Sequence, residues 1–153
     1  EDIAEYCDIF YIGGTKVGAL CGEAVVFTNN NVPRHFFSII KQHGALLAKS
    51  RLVGVQFDAL FTGGLYFEIS RNACNMAMRL RKIFSDAGFA LEESPTNQQF
   101  VVLTNVQMEK LARHVAFETW EKIDAGNTLC RFVTSWATKE SDLETLEEAI
   151  DSI

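Results

Sequence analysis

The chain has few cysteines and histidines, which are the residues of zinc sites and disulfide cross-links. Its 153 residues include only four cysteines and three histidines. The cysteines are Cys7, Cys21, Cys74 and Cys130, which lie far apart and form no Cys-x-x-Cys pair. This spacing indicates free thiols in a reducing compartment, which we expect to be the cytoplasm, rather than a disulfide framework or a zinc site. The sequence therefore predicts no metal site.

Long apolar runs and an excess of basic residues are also missing. No segment is long enough to span a bilayer, and no signal peptide opens the sequence. The 14 lysines and arginines are outnumbered by 20 acidic residues, which gives a net charge of -6. Such a charge disfavours general nucleic-acid binding. We therefore expect neither a membrane nor a nucleic acid among the partners.

The residues that are present are sufficient for one sizeable core, because 48% of them are hydrophobic and only 22% are charged. Near the start, residues 8–12 predict a buried strand and residues 22–28 predict a second strand. The apolar spacing then predicts one helix over residues 33 to about 60, with a kink or close packing at Gly44 and Gly54. The first strand follows residue 1 so closely that we expect the chain to begin inside a fold.

The remainder of the chain predicts a small sheet covered by helices. The predicted elements are a helix over 66–86, a strand over 100–104, a helix over 106 to about 123, a strand over 129–134 and a helix over 143–153. Ser141 and Glu144 have the spacing of a capping box for the last helix. The residues of the helix over 66–86 that we expect to face the core are Ile69, Ala73, Met76, Ala77, Leu80 and Phe84, and Gly88 suits the left-handed position after its end. Thr104 or Asn105 would cap the helix from 106, and residues 124–127 would turn the chain into the strand over 129–134. Two isolated strands are marginal on their own, so we expect the two N-terminal strands to complete a larger sheet that this chain does not encode.

Lys16 follows two glycines at the end of the first predicted strand, a position that suits a lysine bonded to a cofactor. The apolar residues 9–12 end at Gly13 and Gly14, and Thr15 and Lys16 follow directly. A surface lysine needs no glycines before it, whereas a lysine bonded to a flat cofactor needs a sharp turn and a close backbone approach. The matching chemistry is a Schiff base between the lysine amine and pyridoxal phosphate. On these four residues alone, a solvated turn lysine is the more common explanation.

Four segments extend this observation, because together they resemble the threonine aldolase family. The segments are DIFYIGGTKVGALCGEAVVF (8–27), KQHGALLAKSRLVGVQFDALF (41–61), GLYFEIS (64–70) and RFVTSWAT (131–138). They are distributed from residue 8 to residue 138, in the order that the family has. Members of this family are pyridoxal-phosphate enzymes with the aspartate-aminotransferase-like fold, also called fold type I.

The resemblance implies an α/β fold that is the C-terminal half of a longer enzyme. Residues 1–32 would be the terminal strands of the cofactor-binding large domain with its Schiff-base lysine, residues 33–62 a linking helix, and residues 63–153 a small C-terminal α+β two-layer domain. Family chains are more than twice as long, so the other half would supply the acid at the pyridine nitrogen, the group stacked on the ring and much of the phosphate cradle. Whether that half is a separate chain, cleaved off or absent stays open. A homo-oligomer with active sites between subunits is also implied.

The implied activity is cleavage of threonine or allo-threonine into glycine and acetaldehyde. In this reaction Lys16 would bond the cofactor, and Arg131 would bind the α-carboxylate of the amino acid, for which a guanidinium fork is well matched. Lys41 or Arg34 would reach the cofactor phosphate or a neighbouring subunit's site, and Thr15 would donate its hydroxyl near the phosphate.

Several alternatives remain at this point. The sequence does not identify the catalytic base. His35 and His43 on the linking helix are candidates, but a role on the helix surface suits both better. Arg131 would also serve as an edge-strand residue covering apolar surface. A β-eliminating lyase for another amino acid would use the same lysine and arginine, and the C-terminal domain would also suit a non-catalytic assembly module.

Overall fold

Two separate antiparallel sheets organise the chain in the computed structural model, which describes residues 2–153. Contacts divide the chain into two units, the first ending at Tyr66 and the second spanning Phe67–Ile153. Within the described residues, no helix combines the length and apolar character needed to cross a membrane.

The first unit contains a two-stranded sheet and short helices. Its elements are α1 (Asp2–Tyr6), β1 (Ile9–Gly13), a 3-10 turn (Thr15–Val17), β2 (Glu23–Phe27), α2 (Phe36–Gln42), α3 (Arg51–Phe61) and a 3-10 turn (Thr62–Gly64). Tyr11 of β1 pairs with Val25 of β2, and both side chains are largely exposed. The predicted burial of the first strand is therefore wrong for the residues described here, because one face of this sheet has no packing layer within the unit.

The helix predicted over residues 33–60 is in fact two helices. α2 ends at Gln42, and α3 begins only at Arg51. Between them Gly44 has a φ of 70°, a left-handed conformation that glycine adopts at little cost and that ends a helix. Gly54 lies inside α3 without interrupting it, and a Cβ built there would meet no atom within 4 Å, so the kink or close packing predicted at Gly54 is wrong.

The second unit is built on a four-stranded sheet in the order β3-β4-β6-β5. Its elements are α4 (Leu65–Asp86, which starts just before the unit boundary), β3 (Leu91–Glu92), β4 (Gln98–Thr104), α5 (Asn105–Leu111), β5 (Glu118–Lys122), β6 (Asn127–Val133) and α6 (Glu140–Asp151). β3 was not predicted. The helix-covered sheet itself is the arrangement that the sequence predicts for this part of the chain.

One face of this sheet forms the hydrophobic core with the helices. The core side chains are Met76, Leu80, Phe84, Val101, Leu103, Leu111, Cys130, Phe132, Leu143, Leu146, Ala149 and Ile150. The members from α4 recur at helical spacing, as predicted, and burial of each large side chain contributes about 1.5–3 kcal/mol. Because side chains alternate along a strand, Gln98 and Phe100 of β4 and Arg131 of β6 lie on the opposite face.

The helix predicted to continue to residue 123 is wrong, because α5 ends at Leu111 and residues 118–122 form β5. Of the two residues predicted to suit the N-cap, Thr104 and not Asn105 is the cap, since the Thr104 hydroxyl accepts the Gln107 N–H at 3.2 Å. Beyond Leu111, residues 118–122 form a strand and not a helix because they pair with β6. The predicted turn over residues 124–127 connects the two strands, and the Asp124 carboxylate accepts the backbone N–H of Gly126 at 2.7 Å.

The start of the last helix also differs from the prediction. α6 begins at Glu140, three residues before the predicted position 143. The Asp142 carboxylate accepts the backbone N–H of Lys139 at 2.8 Å, so the capping contact uses this pair and not Ser141 with Glu144. The acidic first turn suits the positive end of the helix dipole.

Candidate active site

The loop that carries Lys16 is anchored to α3 of the same unit. The backbone N–H of Leu20 donates to Oε1 of Gln56 at 2.6 Å. The N–H of Val17 donates to the carbonyl oxygen of Gly14 at 3.1 Å, which closes the tight turn around Lys16. The side chain of Val17 is buried. These contacts hold the backbone on both sides of the lysine.

The glycines of this loop allow close packing within the chain. A Cβ at Gly14 would lie 2.8 Å from the Cβ of Ala19 and 3.0 Å from Cζ of Phe57. A Cβ at Gly22 would lie 2.6 Å from Cγ1 of Val53. Both distances are too short for a side chain, so these glycines bring the loop against its own residues and α3. At Gly14, the close approach that the sequence suggested for a cofactor is made by protein atoms.

Open space next to the lysine lies instead at Gly13. A Cβ built there would meet no atom within 4 Å. Lys16 and Thr15 are both exposed, and within residues 2–153 neither side chain has a hydrogen bond or an ion pair. A free amine on an anchored loop, beside a glycine with open space, is an arrangement that fits a lysine that condenses with a cofactor aldehyde.

The other predicted site residues of the first unit lie around α2. Lys41 is in its last turn and Arg34 precedes it, and both are exposed. His35 is the N-cap residue with a left-handed φ of 62°, and His43 is the C-cap residue, whose backbone N–H donates to Ile39 at 3.1 Å. Among the described residues no side-chain hydrogen bond or ion pair connects these four to the Lys16 loop.

Arg131 lies on β6 of the second unit and is held by three neighbouring side chains. Its Nη1 donates to Oε1 of Gln98 at 3.0 Å, and its Nη2 forms an ion pair with the Glu118 carboxylate. The guanidinium carbon lies 4.6 Å from the centroid of the Trp120 ring. Its Nε is buried and has no hydrogen-bond partner within residues 2–153. The guanidinium is thus oriented but retains one unused donor.

Strand register explains this cluster. Phe100 of β4 and Glu118 of β5 both pair directly with Arg131, one on each side of β6. β5 has an irregular register around Trp120, and such a bulge re-aims the side chain that it contains. The Trp120 ring therefore contacts both the guanidinium and the Phe100 ring, whose centroid is 5.4 Å away at a 65° tilt.

Sequence reasoning did not find Gln98, Glu118 or Trp120. Glu118 and Trp120 lie in the segment for which the sequence predicts a helix, and the half-exposed Trp120 ring lies against the Arg131 guanidinium. The sequence signal that would have indicated these residues is the turn over residues 124–127 between two runs containing β-formers, which is typical of a hairpin.

Lys16 and Arg131 belong to different units. In the described part of the chain, no three histidine, cysteine or acidic side chains are grouped as metal ligands.

Comparison with curated proteins matches this chain to threonine aldolases. It is 27% identical over 148 residues to the low specificity L-threonine aldolase of Pseudomonas sp. strain NCIMB 10558, covering 95% of this chain and 42% of that protein. The low specificity L-threonine aldolase of Pseudomonas aeruginosa is 28% identical over 144 residues, with coverages of 92% and 40%. The chain thus spans about two fifths of these relatives. No protein-family profile matches the chain.

Solved structures give the same result for the fold. The threonine aldolase of Leishmania major superposes with a TM-score of 0.93 at 36% identity, covering 99% of this chain and 44% of that one. A serine palmitoyltransferase of Sphingomonas wittichii shares the fold at a TM-score of 0.67 and 16% identity, covering 99% and 40%. The chain resembles the C-terminal part of threonine aldolases, and its fold is that of the C-terminal part of fold-type-I enzymes.

Proposed function

We propose that this chain is the C-terminal part of a pyridoxal-phosphate-dependent aldolase that cleaves threonine or allo-threonine into glycine and acetaldehyde. The observation that carries the proposal is the exposed Lys16 amine on an anchored loop, in a chain that matches a threonine aldolase structure over 99% of its length. The resemblance to two bacterial low specificity L-threonine aldolases supports the same activity.

The residues around Lys16 fit the cofactor. Bound pyridoxal phosphate would supply an electron sink for the charge left when the bond between the α and β carbons breaks. Lys16 would hold the cofactor through its amine. The Thr15 hydroxyl would donate a hydrogen bond to the phosphate, and Lys41 would add a positive charge near it.

Arg131 would bind the α-carboxylate of the substrate. A guanidinium presents paired donors that match the two oxygens of a carboxylate. The guanidinium carbon lies over the Trp120 ring and Nη1 donates a hydrogen bond to Gln98, so the orientation of the guanidinium is set before a ligand arrives. A held guanidinium would orient the amino acid and thereby select which bond at the α carbon breaks.

We also propose a polypeptide partner for the first unit: the N-terminal half, on the same or a separate chain. Tyr11 and Val25 on the sheet, and Leu52 and Val55 on α3, are all more than half exposed. Apolar surface of this extent favours coverage by other protein. Coverage of only 40–44% of the relatives supports a missing half. Assembly into a homo-oligomer follows only from the family resemblance.

The proposed location is the cytoplasm. All four cysteines are free thiols in the structure, in positions that range from buried Cys130 to exposed Cys21 and Cys74. Free exposed thiols are typical of reducing compartments. Measuring the redox state of Cys21 in cell extracts prepared under acid quench would test this location, and a predominantly oxidised thiol would contradict it.

The test of the function uses the complete enzyme, made by co-expressing this chain with the N-terminal part of the Leishmania major threonine aldolase. Borohydride reduction after incubation with pyridoxal phosphate, followed by peptide mapping, should place one pyridoxyl group on Lys16. Lys49→Ala is the control and should retain the adduct, because Lys49 is exposed and has no proposed role at the site. An adduct spread evenly over surface lysines, or none, contradicts the cofactor assignment.

Product analysis then separates the reactions that this lysine would serve. Threonine should give glycine and acetaldehyde in equal amounts. Pyruvate-type keto acids with ammonia would instead identify a β-eliminating lyase. The second unit has a hydrophobic core of its own, which favours a non-catalytic assembly module as the second candidate function. Persistent association with the other half, without any Lys16 adduct, would support that module.

A further inference from the structure

Arg131 already faces a carboxylate, which belongs to Glu118 on the neighbouring strand. A substrate carboxylate would bind the same guanidinium. We propose that Glu118 is a built-in competitor that sets how tightly Arg131 binds a carboxylate ligand. This inference rests on the proposed role of Arg131 as the substrate-carboxylate site, and it adds a residue that tunes affinity at that site.

The geometry makes Glu118 the displaceable partner. Glu118 lies on β5, an edge strand of the sheet, and its side chain is 64% exposed, whereas that of Arg131 is 23% exposed. An ion pair with so exposed an acid contributes little, because water solvates the released carboxylate. When Glu118 moves away, Gln98 and Trp120 still hold the guanidinium in place.

The unused donor of Arg131 gives an external carboxylate an advantage over Glu118. Glu118 engages Nη2 and Gln98 engages Nη1, while the buried Nε has no partner in the described chain. Because Nε is buried in the structure, a ligand carboxylate would reach the edge formed by Nε and Nη2 once Glu118 has moved away, and it would then satisfy this donor as well as the charge. Glu118 would therefore weaken ligand binding without preventing it.

A competitor and a structural support predict opposite effects of the same substitution. Glu118→Gln retains a side chain of the same shape and an acceptor oxygen but removes the charge. If Glu118 competes, carboxylate binding tightens by about two- to fivefold, which corresponds to the strength of an exposed ion pair. If Glu118 only supports Arg131, the substitution weakens binding or leaves it unchanged.

The experiment follows the Nε–H resonance of Arg131 in the nitrogen-15-labelled chain during a titration with sodium acetate, with sodium chloride at equal ionic strength as reference. Arg131→Lys assigns the resonance by its loss. Glu121→Gln is the matched control, because Glu121 is also an exposed acid on β5 but pairs with Leu129. We expect Glu118→Gln to reach half-saturation at about two- to fivefold lower acetate than the wild type, and Glu121→Gln to match the wild type.

Trp120 fluorescence in a Trp136→Phe background provides a second readout, and dispersed amide spectra confirm that each variant is folded. The inference is overturned if Glu118→Gln titrates like the wild type or more weakly, if Glu121→Gln produces the same gain, or if acetate moves neither signal. The Lys16 adduct tests the aldolase proposal separately. Loss of the adduct with the expected acetate response would contradict the aldolase proposal but not the competition by Glu118. A normal adduct with no gain in acetate binding by Glu118→Gln would contradict only the competition by Glu118.

Discussion

The Lys16 loop and the Arg131 cluster hold a cationic side chain in opposite ways. At Lys16 the backbone is fixed by the packing of Gly14 and Val17, while the amine itself is free. At Arg131 the guanidinium is fixed through Gln98, Glu118 and Trp120. The difference matches the proposed chemistry, because an amine that forms a covalent bond must be available, whereas a group that orients a carboxylate must be held still.

Removing the lysine should have the largest effect. Lys16→Ala in the complete enzyme should lower kcat by more than about 10³-fold, because residues that act through covalent catalysis are not replaced by their neighbours. Threonine cleavage, measured by acetaldehyde release at saturating substrate, checks this. Lys41→Ala should change the rate much less, and equal losses in the two variants would contradict a special role for Lys16.

A change in the backbone that carries Lys16 should have the second largest effect. Gly14→Ala places a Cβ 2.8 Å from Ala19, and such overpacking costs about 1–3 kcal/mol. The midpoint of urea unfolding, followed through amide resonances of the first unit, should fall in Gly14→Ala. Gly13→Ala is the matched control, because nothing lies within 4 Å of its Cβ. Similar midpoints for the two variants would show that the loop is not anchored as described.

On the arginine side the expected effect is smaller. Trp120→Leu keeps apolar bulk but removes the ring beneath the guanidinium, and an exposed cation–π contact contributes about 0.5–1 kcal/mol. The KM for threonine in the complete enzyme should rise about two- to fivefold with little change in kcat. A fall in kcat at constant KM would argue that the ring acts on a chemical step.

The smallest effect concerns the turn that positions β5. Hydrogen bonds from the Asn127 side chain and from the backbone N–H of Gly126 and Asn127 hold the pKa of Asp124 below its ordinary value of 3.8. A carboxyl with a lowered pKa stabilises the fold above its unfolded-state pKa and loses that contribution as the pH falls through the folded value. Asp124→Ala should therefore lower the urea midpoint slightly at pH 7 and progressively less below about pH 4. A constant difference across this range would show that the carboxylate charge is irrelevant.

Local patterns predicted much of the fold. The inward face of α4, including Met76, Leu80 and Phe84, followed from helical spacing. The left-handed Gly88 after this helix and the Thr104 cap of α5 followed from residue type and position. Each of these features depends on residues within a turn or two of each other, which is the range over which propensity and capping act.

The site was less accessible to sequence reasoning. Lys16, Thr15, Lys41 and Arg131 were selected by motif and resemblance, and their roles stay predictions. The neighbours of Arg131 were missed because Glu118 and Trp120 reach it through strand pairing across the turn, and no local rule shows that pairing. The same non-local effect turned a predicted helix into β5, as strand partners routinely override local propensity.

By itself the sequence determined the local order of the chain: the tight turn at Lys16, the core face of α4, the Thr104 cap of α5 and the left-handed Gly88 after α4. The reason is that these features depend on near neighbours along the backbone. Only the tertiary structure decided that Gly14 packs against Phe57 and that Arg131 is shared between Glu118, Gln98 and Trp120. Such contacts join residues far apart in the chain, and their strand register and packing distances exist only once the chain has folded.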